Sequence, residues 1–217
     1  MNLKRELPLL LIVLIPFVYL MLIWSGLPET VPTHWNLEGE IDNWGSKWTM
    51  VMIPFLLPLL TYIIFTIVPK IDPKNKIQSD SGKYQNLKFA LTTFMAVLAV
   101  FILYSIKEQS LTNPNYIILG LGFLYIILGN YMKTLKVNYF IGIRTPWTLE
   151  NEKVWKTTHI LAGKLWFVGG LLVIVSSLLT KNAFNSIFFL ATTLTITIIP
   201  IVYSYLQFKK INSKNTI

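Results

Sequence analysis

Long apolar blocks separated by short polar segments make up most of the chain. Each block approaches the roughly 20 residues that an α-helix needs to cross a bilayer. The blocks are too long and too evenly apolar to be the strands of a membrane barrel, which have about 9–11 residues. The pattern therefore predicts an all-α integral membrane protein with about six transmembrane helices. The predicted spans are residues 7–24, 49–68, 87–106, 116–132, 161–180 and 184–208.

The first block follows two basic residues, Lys4 and Arg5, as the core of a secretory signal would. It is longer than the usual signal core of ~7–15 residues, and no A-x-A cleavage site follows it. We therefore interpret it as a retained span.

Basic residues are concentrated on one side of the predicted bundle. Sixteen of the 19 Lys and Arg residues lie in the terminal tails and in the loops after the second and fourth spans, when the first residues of the spans that follow these loops are included. Only Lys47, Lys107 and Lys181 lie elsewhere. Cytoplasmic loops carry such an excess. We expect both termini and the polar segment 138–159 in the cytoplasm, and the loop 27–48 outside. The net charge of +9 thus reflects membrane topology rather than nucleic-acid binding.

The composition supports a membrane protein and excludes some chemistry. Hydrophobic residues make up 53% of the chain and charged residues 13%, whereas soluble domains carry about 25% charged residues. The absence of cysteine from the sequence excludes disulfides, thiol catalysis and thiolate zinc sites. We divide the chain into residues 1–69, two spans joined by the loop 27–48, and residues 70–217, a four-span region.

A small-molecule or lipid transporter is one alternative. Prolines in three of the spans remove backbone donors and can kink the helices around a cavity. These prolines are Pro8, Pro16, Pro54, Pro58 and Pro200. However, no Asp, Glu, Lys, Arg or His lies in the middle of a predicted span, and ion-coupled transporters usually need such residues. The charge pattern therefore argues against this alternative.

The outer loop 27–48 is short, acidic and rich in tryptophan. One hypothesis is a metal site, because imidazole nitrogen and carboxylate oxygen are common metal ligands. Its candidate ligands are His34, Glu38, Glu40 and Asp42. A metal-dependent membrane enzyme would follow from such a site. Gly39 opposes it, because it breaks the helix that would align His34 with Glu38.

Two other interpretations of the outer loop stay open. It can be a docking surface for a cationic or amphipathic peptide from outside, with acidic charge for attraction and tryptophans for packing. It can also be a folded cap, in which His34 bonds to the backbone and Asn36, Asp42 and Asn43 close turns. In either case we expect Trp35 and Trp44 to fold onto the bilayer surface or the mouth of the bundle.

The cytoplasmic segment 138–159 combines turn formers with a predicted helix. Gly142 permits a tight turn, and Pro146 favours an extended Thr145. From Thr148, which can act as the helix cap, we expect a short amphipathic helix at the inner interface that leads into the fifth span. One face of that helix would carry Trp155, His159, Ala162 and Trp166.

Arg144 lies among apolar residues and needs a partner for its guanidinium. The pattern leaves three partners open: a lipid phosphate, the carboxylate of Glu150 or Glu152, and the carbonyl end of a helix. Catalysis by Arg144 and His159 lacks a nucleophile–base arrangement and paired carboxylates. We therefore predict that the chain is not an enzyme and needs no cofactor.

Two stretches resemble a known family. Residues 129–166, GNYMKTLKVNYFIGIRTPWTLENEKVWKTTHILAGKLW, are similar to the signature of the SdpI family of bacterial membrane immunity proteins. Residues 27–47, LPETVPTHWNLEGEIDNWGSK, resemble the outer-loop domain of unknown function that often precedes this signature. The resemblance implies a multi-pass plasma-membrane protein that gives resistance to a secreted peptide toxin of the sporulation-delaying type. In the founding member it also implies signalling, in which the toxin-engaged protein holds a cytoplasmic transcriptional repressor at the membrane.

The family motifs carry over to residues on both faces of the membrane. The implied partners are the lipid bilayer, a secreted peptide toxin and a cytoplasmic repressor, without direct contact to nucleic acid. In the outer loop, as a toxin-docking surface or a cap, the matching positions are His34, Trp35, Asn36, Gly39 and Asp42. In the cytoplasmic segment, with a binding role, they are Asn138, Gly142, Arg144, Thr145, Pro146, Trp147, Thr148, Trp155, Thr158, His159 and Gly163.

Overall fold

Six helical stretches long and apolar enough to cross a membrane dominate the structure. The computed structural model describes residues 3–36, 38–73, 76–111, 113–180 and 182–214. Within these ranges the stretches are Glu6–Gly26, Lys47–Ile71, Gly82–Lys107, Asn115–Met132, Glu152–Leu179 and Phe184–Ser213. The prediction of six transmembrane helices is therefore confirmed, and with six crossings both termini lie on the same side.

The second stretch is irregular in its first half, which contains Pro54 and Pro58. It starts with a 3₁₀ turn at Lys47–Val51 and passes through a π turn at Phe55–Leu59. Pro58 has no N–H to complete a helical bond to the carbonyl of Pro54, which accounts for the local change of pitch. The helices are α1 (Leu3–Ile23), α2 (Met52–Pro54), α3 (Leu60–Ile71), α4 (Gly82–Lys107), α5 (Asn115–Met132), α6 (Pro146–Glu150), α7 (Glu152–Leu179) and α8 (Asn182–Lys214).

The outer loop forms a β-hairpin, an element that the sequence did not predict. Strand β1 (Thr30–Trp35) pairs antiparallel with β2 (Ile41–Ser46). Pro32 lies inside β1, where proline is tolerated because both strands of this sheet lie at an edge. The hairpin is thus an exception to the predicted all-α architecture.

The hairpin closes the outer mouth between α1, the second stretch and α4. Val31 is fully buried there. It belongs to an apolar cluster with Leu20, Ile23, Leu27, Met50, Leu103 and Ile106. Trp35 packs against this cluster, as expected for the mouth of the bundle, whereas Trp44 is 48% exposed. The outer loop is therefore a folded cap whose second strand presents an aromatic side chain outward.

Helices α5 and α7 touch along their backbones. A Cβ atom on Gly129 would lie 2.5 Å from the backbone nitrogen of Phe167 and 2.8 Å from the carbonyl oxygen of Gly163. One on Gly170 would lie 2.6 Å from the carbonyl oxygen of Gly122. We call Gly122, Gly129, Gly163 and Gly170 the glycine seam. The close helix contact expected from these glycines is confirmed.

We expect Gly129→Ala to lower the free energy of unfolding by about 1–3 kcal/mol, because the added methyl group must push α7 away from α5. Unfolding of the purified protein by a denaturing detergent measures the change. Gly120→Ala is the matched control in the same helix, since its Cβ would lie 3.7 Å from the Phe94 ring, an ordinary contact. Equal stability of the two variants would contradict the close backbone contact of α5 and α7 at the glycine seam.

Candidate functional site

The cytoplasmic turn, residues 133–145, folds around one asparagine. The side-chain oxygen of Asn138 accepts hydrogen bonds from the N–H groups of Phe140 at 2.8 Å and Ile141 at 2.7 Å. Its side-chain nitrogen donates to the carbonyls of Lys136 at 2.8 Å and Ile141 at 3.1 Å. Asn138 is buried. These bonds fix the course of the turn, so the asparagine shapes the site from within.

His159, in α7, holds the same turn from the other side. Its Nδ1 lies 2.8 Å from the carbonyl oxygen of Trp155, and its Nε2 accepts from the N–H of Ile143 at 3.0 Å. A carbonyl oxygen only accepts, so Nδ1 carries the proton and Nε2 is the acceptor of a neutral imidazole. The side chain is buried. Both nitrogens are therefore used internally, and neither is left to act on a substrate.

Gly142 and Trp155 enclose the imidazole. Gly142 has φ +111°, a conformation that side chains disfavour, and a Cβ there would overlap Nε2 of His159. The Trp155 ring stacks on the imidazole with centroids 4.0 Å apart. Its Nε1 donates to the carbonyl of Leu135 at 2.8 Å. The tight turn expected at Gly142 is thus present and closely packed.

Two caps replace the single helix start predicted at Thr148. Thr145 caps α6: its hydroxyl accepts from the N–H of Thr148 at 3.3 Å, while the Thr148 hydroxyl accepts from the N–H of Thr145 at 2.9 Å. Asn151 then caps α7 through the N–H groups of Lys153 and Val154. The prediction of Thr148 as the cap is wrong, because the extended backbone of Asn151 separates α6 from α7.

The face predicted to lie on the inner membrane interface is packed inside the bundle instead. Trp155, His159 and Ala162 are buried, and Trp166 donates its Nε1 to the carbonyl of Ile196 in α8 at 3.1 Å. The short helix expected before the fifth span is present as α6, but these residues belong to α7. Their shared face serves helix packing.

Helix α6 is tied to α8 by Trp147. Its Nε1 donates to the hydroxyl of Ser204, and its ring meets that of Tyr205 edge-on, with centroids 5.4 Å apart. Ser204 is fully buried. The cytoplasmic turn and the inner part of α8 therefore form one packed unit.

Arg144 is exposed, and one of its guanidinium nitrogens donates to the carbonyl of Tyr139 at 2.6 Å. This carbonyl lies in the turn and not at a helix end. The prediction that Arg144 binds the carbonyl end of a helix is therefore wrong. In the described part of the chain, neither Glu150 nor Glu152 forms an ion pair with Arg144. The lipid phosphate stays a prediction.

Burial divides the cytoplasmic motif residues into exposed, half-buried and buried members. Arg144 and Pro146 are exposed, so a partner protein can reach them. The hydroxyl of Thr158 has no hydrogen-bond partner among the described residues. Gly142, Thr145 and Trp147 are half-buried. The buried members are Asn138, Thr148, Trp155, Thr158, His159 and Gly163.

On the outer face, His34 and Asp42 bind each other across the hairpin. Nδ1 of His34 lies 2.5 Å from a carboxylate oxygen of Asp42, and both side chains are exposed. The interpretation in which His34 bonds to the backbone is therefore wrong. No group of three or more His, Asp or Glu side chains could hold a metal ion within the ranges that the structure covers. Glu38 and Glu40 thus do not join His34 and Asp42 in a site.

Asn36 and Gly39 shape the tip of the hairpin. The side-chain oxygen of Asn36 accepts from the N–H groups of Glu38 at 3.0 Å and Glu40 at 2.9 Å. Gly39 has φ +87°, and a Cβ there would lie 2.5 Å from Cγ of Pro114. The tip therefore rests on the outer loop between α4 and α5, so the hairpin contacts the four-span region as well as the first two spans.

The outward surface of the hairpin is acidic. Lys47, the basic residue of the loop, is paired with Glu29 at 2.8 Å. It therefore does not neutralise the hairpin tip. The exposed side chains of this surface include Glu38, Glu40, Asp42 and Trp44.

A buried ion pair at the cytoplasmic end was missed by the sequence analysis. Nζ of Lys88 in α4 lies 2.8 and 3.0 Å from the carboxylate oxygens of Glu6 in α1, and the hydroxyl of Tyr62 in α3 donates to Glu6 at 2.9 Å. Both charged side chains are buried. The charge pattern of the sequence places Lys88 with the cytoplasmic loop after the second span. Opposite charges at the cytoplasmic ends of two predicted spans were the signal that could have revealed the pair.

The chain matches known proteins along nearly its whole length. Residues 134–204 match the SdpI/YfhL protein family, and residues 11–57 match a domain of unknown function, DUF1648. The chain is 31% identical over 215 residues to "Immunity protein SdpI" of Bacillus subtilis (strain 168), which covers 96% of this chain and 98% of that protein. It is 39% identical over 51 residues to an uncharacterized protein of Archaeoglobus fulgidus, which covers 24% of this chain and 28% of that protein. No solved structure matches it.

We expect His159→Leu to speed amide hydrogen exchange in residues 138–145, because the half-buried N–H of Ile143 loses its acceptor at a cost of about 1–3 kcal/mol. Exchange followed by mass spectrometry in detergent micelles measures the effect. His34→Leu, at an exposed position on the opposite face, should leave this segment unchanged. Slow exchange there in His159→Leu would show that the imidazole does not hold the turn.

Removal of one partner of the buried ion pair should lower the stability of the folded protein. We expect Lys88→Met to destabilise the protein by about 3–5 kcal/mol, since Glu6 is left buried without its counter-charge. The double variant Glu6→Leu/Lys88→Met should recover most of this loss of stability, because two apolar side chains leave no unpaired charge buried. Thermal unfolding in detergent compares the two variants. A double variant no more stable than Lys88→Met would contradict the prediction.

Proposed function

The chain belongs to the SdpI/YfhL protein family, and from that membership we propose that it is an immunity protein against a secreted peptide toxin. It is a multi-pass protein of the plasma membrane. The observation that carries the proposal is the alignment with "Immunity protein SdpI", which extends over almost the full length of both chains. The aligned residues therefore include most of the chain, and with it both the outer hairpin and the cytoplasmic turn.

The outer hairpin is the surface that we assign to toxin docking. Its exposed carboxylates, from Glu38, Glu40 and Asp42, attract a cationic peptide. Trp44 offers a large, rigid ring at the same surface, and tryptophan is enriched among residues that dominate binding energy. The packing of Val31 and Trp35 below it holds the surface in a fixed place, which limits the entropy lost on binding.

The cytoplasmic turn is the surface that we assign to signalling through a repressor. The internal hydrogen bonds of Asn138 and His159 hold its shape, while Arg144 and Pro146 are accessible. Arginine forms charge-assisted bonds with carboxylates and suits a protein contact. The proposal therefore separates residues that build the turn from residues that touch the partner.

We expect the chain to protect a toxin-sensitive bacterium that lacks its own immunity protein. The outer variant Glu38→Gln/Glu40→Gln/Trp44→Ala should lose about tenfold or more in the tolerated toxin concentration, because both charge steering and the aromatic contact are removed. Survival against a sporulation-delaying-type peptide measures this, with the membrane level of each variant checked.

The matched control for the outer variant is Glu150→Gln/Glu152→Gln, which removes two exposed carboxylates on the cytoplasmic side. It should protect like the unmodified chain. Full protection by the outer variant would exclude the hairpin as the docking surface. Absence of protection by the unmodified chain would contradict immunity to that peptide.

Arg144→Ala should abolish toxin-induced transcription of a reporter under the repressor while leaving survival intact, because the residue is exposed on the opposite face from the hairpin. Lys153→Ala, another exposed basic position near the turn, is the control and should signal normally. Normal induction in Arg144→Ala would exclude this side chain from the repressor contact.

A further inference from the structure

A basic cavity of about 230 Å³ lies on the cytoplasmic side between two parts of the chain. One wall comes from residues 76–87, which lead into α4, and the other from residues 131–141, the end of α5 and the cytoplasmic turn. Hydrogen-bonding side chains line it beside the basic ones. They include Ser81, Tyr131 and Thr134.

Three lysines from separate segments converge on this cavity. Lys76 precedes α4, Lys83 lies in its first turn, and Lys136 lies in the cytoplasmic turn. The described lining contains no carboxylate, and none of the three lysines pairs with a described carboxylate within 4.0 Å. The nearby carboxylate of Asp72 accepts the backbone N–H groups of Lys76 and Ile77. The cavity is therefore positively charged and suited to an anion.

An apolar cavity of about 340 Å³ adjoins the basic one. Ile64, Val68 and Phe140 line it. Tyr84 and Ile141 line both cavities and form the wall between them. The hydroxyl of Tyr84 donates to the carbonyl of Phe65 at 2.7 Å, which fixes its ring in that position. A polar compartment and an apolar compartment thus share one boundary.

We propose that these two cavities together bind an anionic phospholipid of the inner leaflet. The phosphate of its headgroup lies among Lys76, Lys83 and Lys136, and the upper part of an acyl chain enters the apolar cavity. The cavities lie where α3 ends and α4 begins, at the cytoplasmic interface of the bundle. Basic pockets between transmembrane helices on that side favour anionic headgroups, and each basic residue near the surface adds to the attraction.

The site joins the first region of the chain, through Ile64 and Val68 of the apolar cavity, to the four-span region. Residues 76–87 lie between the two family matches, whereas Lys136 and Ile141 lie within residues 134–204. A lipid bound here contacts the same turn that Asn138 and His159 hold from within. This inference does not rest on toxin immunity, because it depends only on the geometry and charge of the cavities.

Native mass spectrometry of the full-length protein tests the proposal. In detergent, the unmodified chain should retain phosphatidylglycerol in preference to phosphatidylcholine with the same acyl chains. Lys83→Gln/Lys136→Gln should weaken retention of phosphatidylglycerol roughly tenfold or more. Lys153→Gln/Lys156→Gln removes the same charge from exposed positions outside the cavity and should leave retention unchanged. Matching thermal midpoints establish that both double variants are folded.

A second arm separates a lipid from a free organic phosphate. Glycerol 3-phosphate carries the headgroup chemistry without acyl chains, and millimolar amounts should compete poorly with phosphatidylglycerol. Equal retention of the two lipids by the unmodified chain, or equal loss in the two double variants, would overturn the proposal. Binding of glycerol 3-phosphate as tight as that of the lipid would also overturn it, because the apolar cavity would then contribute nothing.

Discussion

The backbone contact between α5 and α7 is the constraint on which the cytoplasmic half of the structure depends. No side chain separates Gly129 from Gly163, so the start of α7 lies close beside the residues that follow α5. Trp155 and His159 can then reach the backbone of the cytoplasmic turn. The cytoplasmic turn then positions α6, which is bound to α8 by the hydrogen bond from Trp147 to Ser204. Lipid supplies no hydrophobic force between helices, so close packing and buried hydrogen bonds supply the cohesion.

The two ends of the bundle use their polar residues differently. At the cytoplasmic end, four motif residues are buried and bond to backbone groups, so their substitution acts through folding. These residues are Asn138, Thr148, Trp155 and His159. At the outer end, the hairpin buries Val31 and leaves its carboxylates and Trp44 at the surface. The tip also rests on Pro114. The outward surface of the hairpin is therefore supported by both regions of the chain.

The number of spans and the glycine contacts could be predicted from the sequence, because both follow from local composition. The hairpin could not be predicted, because Pro32 and the shortness of the strands hide the alternation of apolar and polar residues that marks a strand. Its stability also comes from packing on α1 and α4. The pairing of Lys88 with Glu6 was also hidden, because it joins residues 82 positions apart. For Arg144, none of the expected partners was a carbonyl inside the turn. Each difference comes from a tertiary contact that a linear pattern does not contain.

Photo-crosslinking from the outer hairpin tests the central claim most directly. A benzophenone amino acid in place of Trp44 is irradiated in intact cells with a sporulation-delaying-type peptide, beside the same group in place of Arg144 on the cytoplasmic side. We expect a covalent adduct with the peptide at position 44 and none at position 144. An adduct at position 144 alone, or no adduct at position 44 in cells that the protein protects, would contradict recognition of the toxin by the hairpin.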